Sequence, residues 1–311
     1  MIIAIQADEL ETLKPTTDTT LFIASELRES GYRTFFYTTD QLYVQNGIVC
    51  AKGRYVESCY ADFISTFKII GEELVICLND VKSVLVRQDP PFDMNYITSL
   101  YILELLPKNV LVLNDPVGIR SCGEKVTPLH YPHLAPPTMV ISKLSDEVRE
   151  FLYLHQKLIL KPLYWFGGKH TQLLGVSDEE RIEYALKEHG TIVLQKFFPE
   201  ISEGDKRIFI IDGKAEIALK RVPANGQFRA NLASGGTAMQ TDITARENEI
   251  CAEVGDKMKE NGIFIAGLDV IAEHLIEVNV TSPTGFVAID RLYGVNLAAM
   301  VVTHLEKCIS F

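Results

Sequence analysis

The chain has 311 residues, a formal net charge of −11 and six cysteines without a Cys-x-x-Cys pair. The acidic balance argues against non-specific binding to nucleic acid or to an anionic membrane, which both need clustered positive charge. The length predicts two or three domains, and no apolar run reaches the length of a membrane span.

The N-terminal MIIAIQADEL lacks the basic and long apolar regions of a secretory signal and reads as a first buried strand. Cys50, Cys59, Cys77, Cys122, Cys251 and Cys308 then read as free thiols of a reducing cytoplasm, with no spacing for zinc. Asp18 is placed to cap a helix through LFIASELRES that ends at Gly31. YRTFFY is a second strand, KSVLVR (82–87) a third and VLVLN (110–114) a fourth, with Asp93 capping a helix before the last of these. Strands alternating with helices predict a parallel sheet covered on both faces, with ligand contacts beyond the carboxyl ends of its strands. QADELETLKP follows the first strand, so no GxGxxG is present to admit a dinucleotide.

Prolines at 128, 132, 136 and 137 mark an inter-domain connection. A second α/β unit follows. Ser145 opens a helix, KLILKP and HTQLLGV are strands around a loop with Gly167 and Gly168, Ser177 or Asp178 opens a helix to about His189, and TIVLQKF is a strand. KRIFIIDG and KAEIALKR predict a hairpin turning at Asp212-Gly213. A helix over about 244–261, a hairpin made of FIAGLDVIA and LIEVNV with its turn around Glu273 and His274, and a helix over about 295–308 complete the chain. The expected division is 1–121, 122–198 and 199–311.

The last hairpin carries the most chemistry. Side chains alternate faces along a strand, so Glu277 and Asn279 share one face while Val278 and Val280 take the other. If the two strands pair, Asp269 can join them, and two carboxylates with an amide oxygen suit Mg²⁺. Lys161, at the end of its strand beside Gly167 and Gly168, can reach phosphate oxygens while backbone N–H groups cradle them, and Lys125 is a second such lysine. Gln195 with Phe197 and Phe198 reads either as core or as the wall of a purine site. Asp205 could hold a ribose hydroxyl and Arg207 could fork onto phosphate. Residues 220–237 contain Lys220, Arg221 and Arg229 and no acid, a basic, glycine-containing segment suited to closing over an anion. Arg87 to Pro91 stands just past a strand end, where a doubly wound sheet binds ligands. There is no Ser-His-Asp pattern, GxSxG or HExxH.

VRQDPPFD (86–93), ILKP (159–162), GDKR (204–207), RANLASGG (229–236) and GLDVIAEHLIEVNVTSPTG (267–285) together resemble bacterial-type glutathione synthetase, an ATP-grasp ligase, along nearly the whole chain. The resemblance implies an α/β domain with a doubly wound parallel sheet, followed by a two-part ATP-grasp fold: a lid and a catalytic half. It implies a cytoplasmic homo-oligomer that joins γ-glutamylcysteine to glycine, forming glutathione, ADP and phosphate through an acyl phosphate. ATP together with Mg²⁺, or Mn²⁺ in place of the magnesium, is the implied cofactor set. The resemblance makes Lys125 and Lys161 phosphate ligands, Gln195 and the residues after it the adenine hinge, and Asp205 the ribose contact. Asp269, Glu277 and Asn279 become metal ligands, and Arg207, Arg229 and Asn231 surround the reacting phosphate. Arg87, Ser282 and Thr284 fall on the substrate side.

Three places depart from the family pattern. Tyr164-Trp165-Phe166 stands where the phosphate loop has Asp-Gly-x, with Lys169-His170-Thr171 after the glycine pair. Val287-Ala288 replaces an Arg or Gln followed by Glu, and Arg229-Ala230-Asn231 replaces Arg-Gly-Asn. Two other readings follow from these: a ligase for a different peptide and amine, or a nucleotide-binding homologue without catalysis.

Overall fold

The computed structural model describes residues 1–224, 226–227, 229–232 and 235–309. The elements of the first unit are β1 (Ile2–Gln6), α1 (Thr19–Glu29), β2 (Arg33–Tyr37), β3 (Leu42–Gln45), β4 (Ile48–Ala61), β5 (Ile64–Cys77), β6 (Ser83–Val86), α2 (Met94–Leu103), β7 (Leu111–Leu113) and α3 (Pro116–Ser121). Strands β2, β1, β6 and β7 are parallel neighbours, as the alternating pattern predicts. Alternation sends β1 side chains to both faces. Ile3 and Ile5 pack with Phe22 and Leu27 of α1, while Ala4 packs with Tyr96 and Leu100 of α2. Asp18 and Asp93 cap their helices as expected, accepting from the N–H groups of Leu21 and of Asn95 and Tyr96. Ser145 makes no side-chain cap bond.

The parallel sheet is extended by antiparallel strands that the sequence pattern did not reveal. β4 pairs β2 and β3, and β5 pairs β4 along an edge. The β4–β5 turn is Asp62-Phe63, with φ of 50° and 61°. Its conformation is the one usually signalled by glycine, and Phe63 hides it.

The second unit contains β8 (Thr138–Ile141), α4 (Asp146–His155), β9 (Lys157–Pro162), β10 (Gln172–Gly175), α5 (Glu179–His189) and β11 (Ile192–Lys196), with strand order β10-β9-β11-β8. Leu158 and Leu160 of β9 join Val148, Leu152 and Ile182 in a separate small core. Ile159 and Lys161 therefore face the opposite side of the sheet.

The third unit contains β12 (Asp205–Ile211), β13 (Lys214–Val222), β14 (Thr237–Gln240), α6 (Ala245–Glu260), β15 (Ile265–Ile271), β16 (His274–Asn279), α7 (Phe286–Tyr293) and α8 (Leu297–Ile309), with strand order β14-β13-β12-β15-β16. A register shift between Phe209 and Ile210 leaves Glu216 of β13 bulged, and one between Asp269 and Val270 leaves Ile276 of β16 bulged. No single helix among the described residues is long and apolar enough to cross a membrane.

Asn114 locks the first unit to the third. Its Nδ2 donates to the carbonyls of Ile265 and Val280, both at 2.8 Å, and its Oδ1 accepts from the N–H groups of Phe264 and Ile265 at 2.8 and 2.9 Å. Asn114→Ala orphans these buried backbone groups, each unsatisfied group costing roughly 1–3 kcal/mol. A loss of about 3 kcal/mol or more is expected in urea unfolding; a change below about 1 kcal/mol would show that water replaces the amide.

Candidate active site

The functional side chains converge because of sheet register. In the third sheet Asp205 is opposite Arg221, Arg207 is opposite Asp269, and Asp269 is opposite Glu277. Directly opposite residues share a face, so these five form one charged ladder. The bulge at Ile276 is what aligns Asp269 with Glu277, and it turns Ile276 towards the same cleft. Gly267, opposite Asn279, leaves room for Arg207: a Cβ there would lie 3.3 Å from Arg207 Cδ and Nε.

Arg207 holds Asp269 by two hydrogen bonds of 2.8 Å. Arg221 holds Asp205 by bonds of 2.7 and 2.6 Å and reaches Asp269 Oδ2 at 3.0 Å. Burial disfavours charge on Asp269, but the two guanidiniums outweigh it and hold its carboxyl well below the usual carboxylate range. Burial likewise disfavours charge on Arg221, yet Asp205 and Asp269 raise its pKa above the ordinary guanidinium value. Asn279 Nδ2 donates to Gly267 O at 3.1 Å and to Asp269 Oδ2 at 3.3 Å, which leaves its Oδ1 lone pairs for another partner.

This ladder faces the β10-β9-β11-β8 sheet across a cleft of about 940 Å³. Lys125, Lys161, Gly167, Gly168, Gln195, Phe197, Phe198, Asp205, Arg229, Asn231, Asp269, Glu277 and Asn279 all line it. Lys125 Nζ lies 3.6 Å from Glu277 Oε1 and donates to the Leu163 carbonyl at 3.3 Å and to that of Trp165. Lys161 Nζ donates to Gln195 Oε1 at 2.8 Å, and Gln195 Nε2 donates to Thr138. Burial lowers the Lys161 pKa, against the pull of Glu277. Ile159, Ile271 and Ile276 supply apolar wall beside Phe197 and Phe198, and Phe198 stacks on His274 at 4.7 Å.

Gly167 and Gly168 both have positive φ, 62° and 70°, a conformation that side chains resist. Arg229 crosses from the β13–β14 segment to donate to the Gly168 carbonyl at 3.3 Å. Asn225, Phe228, Ala233 and Ser234 of that basic segment lie outside the described residues. Arg221 is not part of an exposed basic patch, because it is buried in the ladder. Arg207 does not line the cleft; it stands behind Asp269.

Arg87, Ser282 and Thr284 lie apart from that cleft. Arg87 is buried, donating to Thr20 Oγ1 at 3.2 Å and to the Pro283 carbonyl at 3.1 Å. Asp8, Asp18 and Asp89 surround it, and burial raises the pKa of each carboxyl. Ser282 hydrogen-bonds Asp89, and Thr284 is exposed.

The carboxylate of Glu124 is absent from the sequence-based set. Its Oε1 accepts from the N–H groups of Val280 and Thr281 and from the Thr281 hydroxyl at 2.8 Å, pinning the chain just past β16. Burial, and then Glu277, raise its pKa. Its place directly before Lys125 was the only signal.

One family model, described as prokaryotic glutathione synthetase, N-terminal domain, matches residues 1–120, and another, described as its ATP-grasp domain, matches residues 124–294. The chain belongs to the prokaryotic glutathione synthetase family. It is 38% identical to the glutathione synthetase of Brucella melitensis over 309 residues, 98% of each chain. It is 36% identical to that of Synechocystis sp. over 319 residues, 99% of each. Among solved structures it is similar to D-cycloserine synthetase DcsG, with a TM-score of 0.68 at 14% identity, covering 98% of this chain and 100% of that one. ATP-grasp ligase PsnB complexed with minimal precursor, Mg and ADP superposes with a TM-score of 0.62 at 15% identity, covering 100% of this chain and 98% of that one. These two likenesses show the ATP-grasp fold alone.

The departures from the glutathione synthetase pattern have physical explanations. Trp165 packs edge-on against His170, ring centroids 4.7 Å apart, and also approaches His189. The loop thus keeps its two left-handed glycines while an aromatic cluster braces it. Ala230 is buried with its carbonyl against Gly236, where any Cβ would come within 2.1 Å. Val287 is buried in the core beside Phe286 and Ile289, and Ala288 packs against the same core. Val287 thus serves packing.

Proposed function

We propose that the chain joins γ-glutamylcysteine to glycine at the expense of ATP, giving glutathione, ADP and phosphate through an acyl phosphate. The observation that carries this reading is the alignment of Asp269, Glu277 and Asn279 with Lys125 and Arg229 around one cleft that also has an apolar wall. The donor set fits a hard divalent cation. It is all oxygen, two carboxylates and an amide whose Nδ2 is turned to Gly267 and Asp269 so that its Oδ1 remains the ligand atom. Asp269, Glu277 and Asn279 would hold Mg²⁺, or Mn²⁺, which supplies positive charge against phosphate oxygens. Residues 1–121 would carry the peptide side, 122–198 the lid and 199–311 the catalytic half.

Each side chain has a task in that reaction. Lys125 and Lys161 bring ammonium groups to the phosphates, and Gly167 and Gly168 let backbone approach them. Gln195, Phe197 and Phe198 form the hinge wall for adenine, and Asp205 lies where the ribose would rest. Arg229 and Asn231 spread over the transferring phosphate, with Arg207 fixing Asp269. Attack of a carboxylate on a phosphate brings two anions together, and these cations lower the repulsion. The segment carrying Arg229 and Asn231 would shield the acyl phosphate from water until the amine attacks. Arg87, Ser282 and Thr284 are assigned to the peptide side. The family context suits a cytoplasmic homo-oligomer.

Purified protein given ATP, Mg²⁺, γ-glutamylcysteine and glycine should release phosphate only when all four are present. Release that proceeds without glycine but requires another amine would replace the glycine assignment. Nucleotide binding without turnover under any amine would remove catalysis altogether.

A further inference from the structure

The edge hairpin β4–β5 holds two cysteines in register. Cys50 and Cys77 are directly opposite partners, both free and half-buried. Val49 and Ala51, on either side of Cys50, are fully buried, so Cys50 and Cys77 share the face turned away from the core.

The register also sets their approach. Asn46-Gly47, with φ of 53° and 81°, forms the tight turn between β3 and β4, which makes Gln45 and Ile48 a hydrogen-bonded pair. Hydrogen-bonded and non-hydrogen-bonded pairs alternate from there. Cys50 thus directs its backbone groups to Tyr43, and Val49 directs its own towards β5. The Val49 N–H indeed donates on that side, to Asn79 Oδ1 at 3.1 Å. Cys50 and Cys77 are therefore a non-hydrogen-bonded pair, the class whose Cα atoms come within about 4.5 Å. Disulfides span Cα separations of about 4.4–6.8 Å. The other cysteines have no such neighbour. Cys59, on the same hairpin, is opposite Thr66, Cys122 and Cys251 are buried, and Cys308 lies 3.2 Å from His304.

We infer that Cys50 and Cys77 form a modification site for small-molecule disulfides, which close them reversibly into a cross-strand bridge. One cysteine thiolate attacks a sulfur of the small disulfide, forming a mixed disulfide and expelling one small thiolate. The second cysteine, deprotonated, attacks the protein sulfur of that adduct, forming the Cys50–Cys77 bond and expelling the other small thiolate. Two protein thiols are oxidised and one small disulfide is reduced to two thiols. The bridge is half-exposed, so excess small thiol can reverse it. Between the two cysteines lie Gly53, Arg54 and Glu73, which line a cavity with Asp8, beside the Arg87 cluster. Closure would stiffen that wall.

The test is intact-mass analysis and non-reduced peptide mapping of the native protein after exposure to cystamine. Cys50 and Cys77 are expected to appear as one linked peptide pair without adduct, while Cys59, half-buried like them, serves as an internal control that can retain only a cysteamine adduct. Dithiothreitol should restore both thiols. In Cys77→Ser, Cys50 should instead keep the adduct. Stable adducts on both Cys50 and Cys77 in the parent protein would overturn the inference. So would unmodified Cys50 and Cys77 in a sample where Cys59 has reacted.

Discussion

Replacing Glu277 by Gln is expected to lower phosphate release by more than about 100-fold while leaving the fold intact. Removing a group that merely orients a metal ligand typically costs about 10–100-fold, and Glu277 is assigned as a ligand itself. The substitution keeps the side chain's size and removes only its charge. The fold should tolerate the change because Glu277 has like charge beside it. It is among the groups that raise the Glu124 pKa, so its neutralisation relieves repulsion there. Against this, Lys125 loses a partner at 3.6 Å, though it keeps the carbonyls of Leu163 and Trp165. The melting temperature is expected to move by no more than a few degrees, as for a change of about 1 kcal/mol. Raising Mg²⁺ should restore part of the activity, which a structural defect would not allow. A fully active Glu277→Gln protein would remove Glu277 from the metal site.

Arg221→Met is expected to be the most damaging single change to the ladder. It leaves Asp205 without its two short bonds and Asp269 with Arg207 as its one cationic partner. Breaking a buried pair by removing one partner typically costs about 3–5 kcal/mol, because a charge is left uncompensated. The sign of the pH dependence separates this cause from lost packing. Burial raises the Asp205 carboxyl pKa even with Arg221 present, and without it the folded-state value should rise further above that of the unfolded chain. A raised carboxyl binds its proton more tightly in the folded state, so the variant regains stability as pH falls and loses it as pH rises through the folded pKa. Urea unfolding at pH 5.5 should therefore show a smaller deficit than at pH 7.5. Combining Asp205→Asn with Arg221→Met should recover much of the loss. An equal deficit at both pH values, with no recovery in the double variant, would assign the effect to packing.

Much of the molecule was legible in its sequence for local reasons. Asp18 and Asp93 announced helix starts through their capping chemistry, and Asp212-Gly213 announced its hairpin as one of the few residue pairs that turn so tightly at little strain. Glu277 and Asn279 were legible because a period of two needs no knowledge of the fold. What stayed hidden depends on pairing. The β4–β5 hairpin turns through Asp62-Phe63, whose left-handed backbone carries no glycine to mark it. Arg221 was hidden for a related reason. Counting back from the turn, Ile211 pairs with Lys214 and Ile210 with Ala215, which by simple continuation sets Asp205 against Lys220. The bulged Glu216 moves the register by one and substitutes Arg221, a fork that can grip a carboxylate with two bonds where lysine has a single ammonium. Glu124 was hidden because its partners lie far along the chain at Val280 and Thr281.

The bulge at Ile276 gives the site a parity. From the turn at Ala272-Glu273, His274 pairs with Ile271 and Leu275 with Val270, so an unbroken ladder would set Asp269 against Ile276. Glu277 and Asn279 would then face the other side of the sheet, where Val278 and Val280 are now buried. Flattening the bulge with every residue kept would thus exchange an acidic face for an apolar one, whereas removing Ile276 would leave Glu277 opposite Asp269. A one-residue insertion or deletion between the turn and the carboxylates keeps Glu277 against Asp269 only where a bulge is gained or lost with it. For a chain of this architecture, locating the bulge is therefore as informative as identifying the carboxylates themselves.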